Sequence, residues 1–195
     1  MATAQSKTAQ TKAAQTKPAQ TASARASASR GVHPTKREGS EHGFVASPAL
    51  AECLQRVQVD LIELHLQGKQ AHWNIVGKNF RDLHLQLDEI VDSAREFSDV
   101  IAERLRALHA SPDGRSGTVA QATSLREFPA GEVDTTAAVD LITERLEAVA
   151  GTARDVHDRV DDEDPTSADL LHQLIATMEQ YAWMVSAENR TPASK

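Results

Sequence analysis

The chain has 195 residues, of which 40% are hydrophobic but only 4% aromatic, with 9 glycines, 7 prolines and a formal net charge of −7. That length suits one domain, or one domain with an appendage, and so few aromatic, Gly and Pro residues argue against a sandwich of many short strands. The one cysteine, Cys53, rules out an intrachain disulfide, and nothing approaches the run of roughly 20 apolar residues that spans a bilayer.

The charge is unevenly placed. Residues 1–45 hold Lys7, Lys12, Lys17, Arg25, Arg30, Lys36 and Arg37 against Glu38 and Glu41, a segment charge of +5 that leaves −12 on the remainder. Residues 1–30 use little beyond Ala, Thr, Gln, Ser, Lys and Arg, with a loose five-residue repeat such as Gln-Thr-Lys-Ala-Ala. With almost no bulky apolar side chain to bury, this arm is expected to be disordered. It has no apolar signal core, so the expected location is the cytoplasm. A basic arm on an acidic body also points to DNA as a partner, bound without sequence preference.

The folded region is expected over residues 46–190, with 191–195 as a short tail. Ser47-Pro48 reads as an N-cap followed by proline in the first helical turn. Leu50, Cys53, Val57, Leu61, Leu64, Gly68 and Ala71 then alternate three- and four-residue steps, the period of a helix with one buried stripe. Gly77 supplies a turn. A second helix is predicted from Phe80 to His109 on the stripe Leu83, Leu87, Ile90, Ala94, Phe97, Ile101, Leu105 and Leu108, stopped by Ser111-Pro112-Asp113-Gly114. Residues 115–133 read as a long connection with a short helix near Val119–Ser124. A third helix follows Asp134 on Val139, Ile142, Leu146, Val149, Ala153, Val156 and Val160. After the break at Asp164-Pro165 a fourth carries Leu171, Leu174, Met178, Ala182 and Val185, fraying by Thr191-Pro192. Four such helices, joined by short links within each pair and a long link between pairs, define an all-α four-helix bundle with a middle crossover.

The chemistry-bearing residues cluster in the first hairpin. His72-Trp73-Asn74-Ile75-Val76-Gly77 leads to Phe80 and Leu83-His84, and later to Asp99-Val100-Ile101-Ala102-Glu103-Arg104. Imidazoles and carboxylates together suit ferrous iron. His84, Asp88, Asp92, Arg95, Asp99 and Glu103 all flank the apolar stripe on one side. Yet His84 and Asp99, 15 residues apart on one helix, stand about 22 Å apart at a rise of 1.5 Å per residue. They cannot hold one ion from the same chain. Two copies of the helix, antiparallel across a two-fold axis, would bring the histidine end of one chain to the carboxylate end of the other.

The pattern His-Trp-Asn-x-x-Gly-x-x-Phe-x-x-Leu-His, followed by Asp-x-x-Ala-Glu-Arg, is similar to the signature of the Dps family (DNA-binding proteins from starved cells), over about residues 47–190. The resemblance implies a ferritin-like bundle that assembles as a hollow dodecamer. It implies iron as the metal, hydrogen peroxide as the favoured oxidant, and ferric mineral stored inside. It assigns His72 and His84 to one subunit's half of an intersubunit ferroxidase site and Asp99 and Glu103 to the neighbour's half. Asp88 matches a further acidic residue near that site. Trp73 reads either as packing at a helix end or as an oxidisable indole that intercepts radicals beside iron. The Glu-x-x-His motif of larger ferritins is absent from the chain. The alternative function is a nucleoid-associated DNA-binding protein working mainly through its arm.

Three further groups stand out. Asp161, Asp162, Glu163 and Asp164, with Asp169, form an acidic corner, read either as solvated surface or, favoured by the resemblance, as a cation-drawing pore. His33, Glu38, Glu41 and His42 lie in the stretch joining arm to bundle, where some relatives carry an extra metal, and are read as a surface linker. His65, His109, His157 and His172 are read as ordinary surface or core histidines.

Overall fold

In a computed structural model, residues 43–192 are described. The segment 1–42, holding the basic arm together with His33, Glu38, Glu41 and His42, lies outside them, as do residues 193–195.

The elements are α1 (Pro48–Asn74), β1 (Ile75–Val76), α2 (Phe80–Ala107), α3 (Ser116–Ala122), β2 (Val133–Asp134), α4 (Thr135–Glu163) and α5 (Pro165–Ser186), with a final 3₁₀ turn at Ala187–Asn189. The pair α1–α2 and the pair α4–α5 are hairpins, and α1 packs on α4 to join them. Every apolar residue of the predicted stripes in α1, α4 and α5 is buried, and in α2 only Phe97 is partly exposed. No helix among the described residues is long and apolar enough to cross a membrane.

Helix ends follow local chemistry. The Ser47 hydroxyl accepts from Leu50 N–H, and the Asp134 carboxylate accepts from Thr136 N–H. The second helix stops at Ala107, two residues short of expectation, because His109 takes a left-handed φ of 64°. The short helix starts three residues before its predicted Val119.

Two features escape periodicity. Ile75–Val76 pairs in parallel with Val133–Asp134, fastening the first hairpin's turn to the end of the crossover. The crossover is also held along its length by polar side chains of α1 and α4. Asp60, buried on α1, accepts from Thr123 Oγ1 (2.9 Å), Ser124 N (2.7 Å), Ser124 Oγ (2.6 Å) and Thr152 Oγ1 (2.8 Å). Arg145, buried on α4, donates to the carbonyls of Arg126 (3.3 Å) and Glu127 (3.1 Å) and to Gln67 Oε1 (3.0 Å).

The acidic corner divides. Ser47 N–H (2.7 Å) and Oγ–H (2.6 Å) both donate to the Glu163 carboxylate, which ties the start of α1 to the end of α4. Asp164 is buried between α4 and α5. There it accepts from Arg104 Nη2 at 2.7 Å and from the Ser167 hydroxyl, while Arg104 Nε also donates to Ser167 Oγ at 3.0 Å. These two acids hold helix ends, so a pore reading extends only to Asp161, Asp162 and Asp169, all exposed.

Burial pushes the Asp164 carboxyl up, but the hydrogen bonds from Ser167 and Arg104 and the Arg104 charge together outweigh it and hold it below its ordinary value. A depressed folded-state pKa means stability that is complete above the unfolded value of about 3.9 and is lost as pH falls through the lower folded value. In urea unfolding, Asp164→Asn is therefore expected to cost about 2 kcal/mol at neutral pH and to lose less than the parent as pH falls below 4. Parallel pH profiles for the two proteins would show that the pair carries no such stability.

Candidate metal centre

His72 stands in the last turn of α1 and His84 in the second turn of α2. The link between them is tight because Gly77 takes a φ of +127° against the start of α4. A Cβ there would lie 2.8 Å from Thr135 Oγ1 and 3.0 Å from Asp134 Oδ2, so only glycine fits. Asn79 follows at a φ of 57°, which asparagine tolerates.

This turn stacks the two imidazoles, with centroids 3.6 Å apart and planes inclined by 22°. Their backbone contacts are reciprocal: His72 Nδ1 lies 3.0 Å from the His84 carbonyl, and His84 Nδ1 lies 3.0 Å from the His72 carbonyl. A carbonyl can only accept, so each Nδ1 carries its proton. Each neutral ring therefore keeps its lone pair on Nε2, the form a metal ion requires. The His72 carbonyl, one of the last in α1, lacks a partner within its helix and finds one in His84.

Asp88 lies one turn beyond His84 and completes the cluster, and a ligand atom from each of His72, His84 and Asp88 falls within 4.8 Å of the others. Asp88 Oδ1 is 3.3 Å from His72 Nδ1 and in contact with the Lys69 ammonium. The Lys69 hydrogen bond, opposed by desolvation and helped by the Lys69 charge, holds the Asp88 carboxyl below its ordinary range. Lys69 was missing from the sequence reading. It sits three residues before His72, on the α1 face that meets Asp88 across the hairpin.

Asp99 and Glu103 are not in this cluster. They are exposed further along α2, which runs without a break from Phe80 to Ala107. The separation of about 22 Å from His84 to Asp99 therefore stands. Trp73, beside His72 in sequence, has 71% of its surface exposed.

Residues 51–191 match the family described as a ferritin-like domain. DNA protection during starvation protein 2 of Deinococcus radiodurans is 36% identical over 139 residues, 70% of this chain and 56% of that protein. DNA protection during starvation protein of Mycolicibacterium smegmatis is 32% identical over 142 residues, 71% of this chain and 75% of that protein. The crystal structure of Dps92 from Deinococcus radiodurans superposes with a TM-score of 0.71 at 34% identity, covering 74% of this chain and 88% of that one. The chain spans little more than half the length of the first of these relatives. The fold and the first hairpin define a ferritin-like protein, and the chain belongs to the Dps family.

A cation reaching His72, His84 and Asp88 meets the Lys69 ammonium already on Asp88 Oδ1 and competes with its charge. Lys69→Met is therefore expected to tighten Co²⁺ binding about two- to fivefold, the scale of a partly exposed ion pair. Calorimetric titration of the assembled protein checks this. Unchanged or weaker binding would remove Lys69 as a competitor.

Proposed function

We propose that this protein is an intersubunit ferroxidase that oxidises Fe²⁺ with hydrogen peroxide, stores the ferric product in a hollow dodecamer and so protects DNA from oxidative damage. The carrying observation is the division of α2. Its N-terminal end meets His72 in a cluster of metal-ligating type, whereas Asp99 and Glu103 stand exposed about 22 Å away on the same helix. Each end is half of a site, and an antiparallel two-fold pairing supplies both halves twice. His72, His84 and Asp88 hold iron from one subunit, and Asp99 and Glu103 hold it from the neighbour.

Iron is substrate here. Two Fe²⁺ give one electron each to a peroxide, which takes up two protons and leaves as two waters, so no hydroxyl radical is released. Trp73, exposed beside His72, is placed to give up an electron when a radical does form. Asp161, Asp162 and Asp169 draw Fe²⁺ toward the shell through their field.

Complementation tests the shared site. Chains with His84→Ala and chains with Asp99→Ala are each expected to be inactive. Co-assembled at random in equal amounts, they should recover about a quarter of parental peroxide-driven oxidation, since half the dimers are mixed and each mixed dimer keeps one intact site of two. No recovery in verified mixed particles would end the shared-site reading.

A second reading, nucleoid-associated DNA binding, rests on the charge of the arm. Residues 1–45 carry +5 on a chain whose remainder is −12. Twelve arms on one shell would add avidity that one arm lacks. The relatives named above are called DNA protection proteins, and the proposed location is the cytoplasm, at the nucleoid. The intact oligomer is expected to retard duplex DNA at low salt, with steep loss as salt rises. Deleting residues 1–30 should abolish retardation and leave iron oxidation unchanged. A truncated shell that retards DNA as well as the parent would rule out the arm.

A further inference from the structure

His157 on α4 and His172 on α5 stand on opposite sides of the turn at Asp164-Pro165, and their Nε2 atoms are 2.7 Å apart. The ring centroids are 4.5 Å apart. The pair lines a shallow pocket of about 370 Å³ together with Arg154, Ile175 and Glu179. His157 is largely covered, with 20% of its side chain exposed, and His172 is 60% exposed.

Each ring has a carboxylate on its other nitrogen. His157 Nδ1 is 3.1 Å from Asp158 Oδ1, and His172 Nδ1 is 3.6 Å from Asp169 Oδ1. A carboxylate beside Nδ1 favours the tautomer protonated there, which leaves the lone pair on Nε2. Two neutral rings so oriented would point lone pairs at each other across 2.7 Å. Turning one ring to donate from Nε2 relieves that contact only by setting a bare Nδ1 against an aspartate. The arrangement closes when the two Nε2 atoms share a proton at 2.7 Å or, with the rings moved apart, a metal ion. Arg154 does not fill that role, because its Nε donates to Glu179 Oε1 at 2.7 Å.

We propose that His157 and His172 form a second cation site, separate from the His72 cluster, which takes a divalent transition metal of the Zn²⁺ type through two Nε2 atoms with water in the remaining positions. Imidazole is a preferred donor for this class. Two nitrogens bound tetrahedrally at about 2.05 Å would stand about 3.3 Å apart, so the rings must part by about 0.6 Å from their 2.7 Å contact. His172, the more exposed ring, has room for that swing. Asp158 orients His157 through Nδ1, and Asp169 stands beside His172 Nδ1 without a hydrogen bond to it.

Zn²⁺ binding to the full assembled protein at fixed neutral pH, read by equilibrium dialysis with metal analysis, tests the site. The parent is expected to retain one more Zn²⁺ per chain than the His157→Gln, His172→Gln double variant. Asp158→Asn, which removes the carboxylate beside His157 Nδ1, should weaken that ion about tenfold. Peroxide-driven Fe²⁺ oxidation should be the same in all three. Should the double variant fail to assemble, His172→Gln alone, at an exposed position, is read in its place. Equal Zn²⁺ per chain in assembled parent and variant would overturn the site and leave a pair that shares only a proton.

Discussion

The crossover between the two hairpins is pinned to the bundle by two buried charged side chains, Asp60 and Arg145. A strand of backbone running along a helical bundle must find partners for its N–H and C=O groups. Asp60 meets Thr123 and Ser124, and Arg145 meets the carbonyls of Arg126 and Glu127. Thr152 donates to Asp60, and Arg145 donates to Gln67, so both contacts also lock α1 to α4. Fixing that register sets β2 against β1 and brings the start of α4 up under Gly77. The geometry of the candidate metal centre thus depends on contacts made elsewhere along α1 and α4.

The helices and their buried faces could be read from the sequence because three- and four-residue apolar steps have one physical meaning. Polar clamps have no such period. Asp60, Gln67 and Arg145 look like solvated positions until partners 18 to 92 residues away are known. The same blindness affected the acidic corner. A run of four acids on a helix end looks uniform in sequence, yet Asp161 and Asp162 face solvent while Glu163 and Asp164 bind Ser47, Ser167 and Arg104.

At the candidate metal centre, residue identity and spacing pointed to His72 and His84, the family resemblance pointed to Asp88, and helix rise separated Asp99 and Glu103 from them. Lys69 and the reciprocal carbonyl contacts were hidden, since both depend on how α1 and α2 are rotated about their own axes. His157 and His172 were hidden for a related reason. They lie on different helices, and only the turn at Pro165 decides that they meet.

The crossed contacts between His72 and His84 have a consequence for how this hairpin tolerates change. Each ring spends Nδ1 on a backbone carbonyl of the opposite helix and leaves Nε2 for the proposed metal. The proposed ligands are therefore also stitches of the hairpin. Losing His84 frees the His72 carbonyl at the end of α1 as well as removing a proposed donor. Chemistry and architecture are coupled at these two positions, so drift that discards the first also erodes the second.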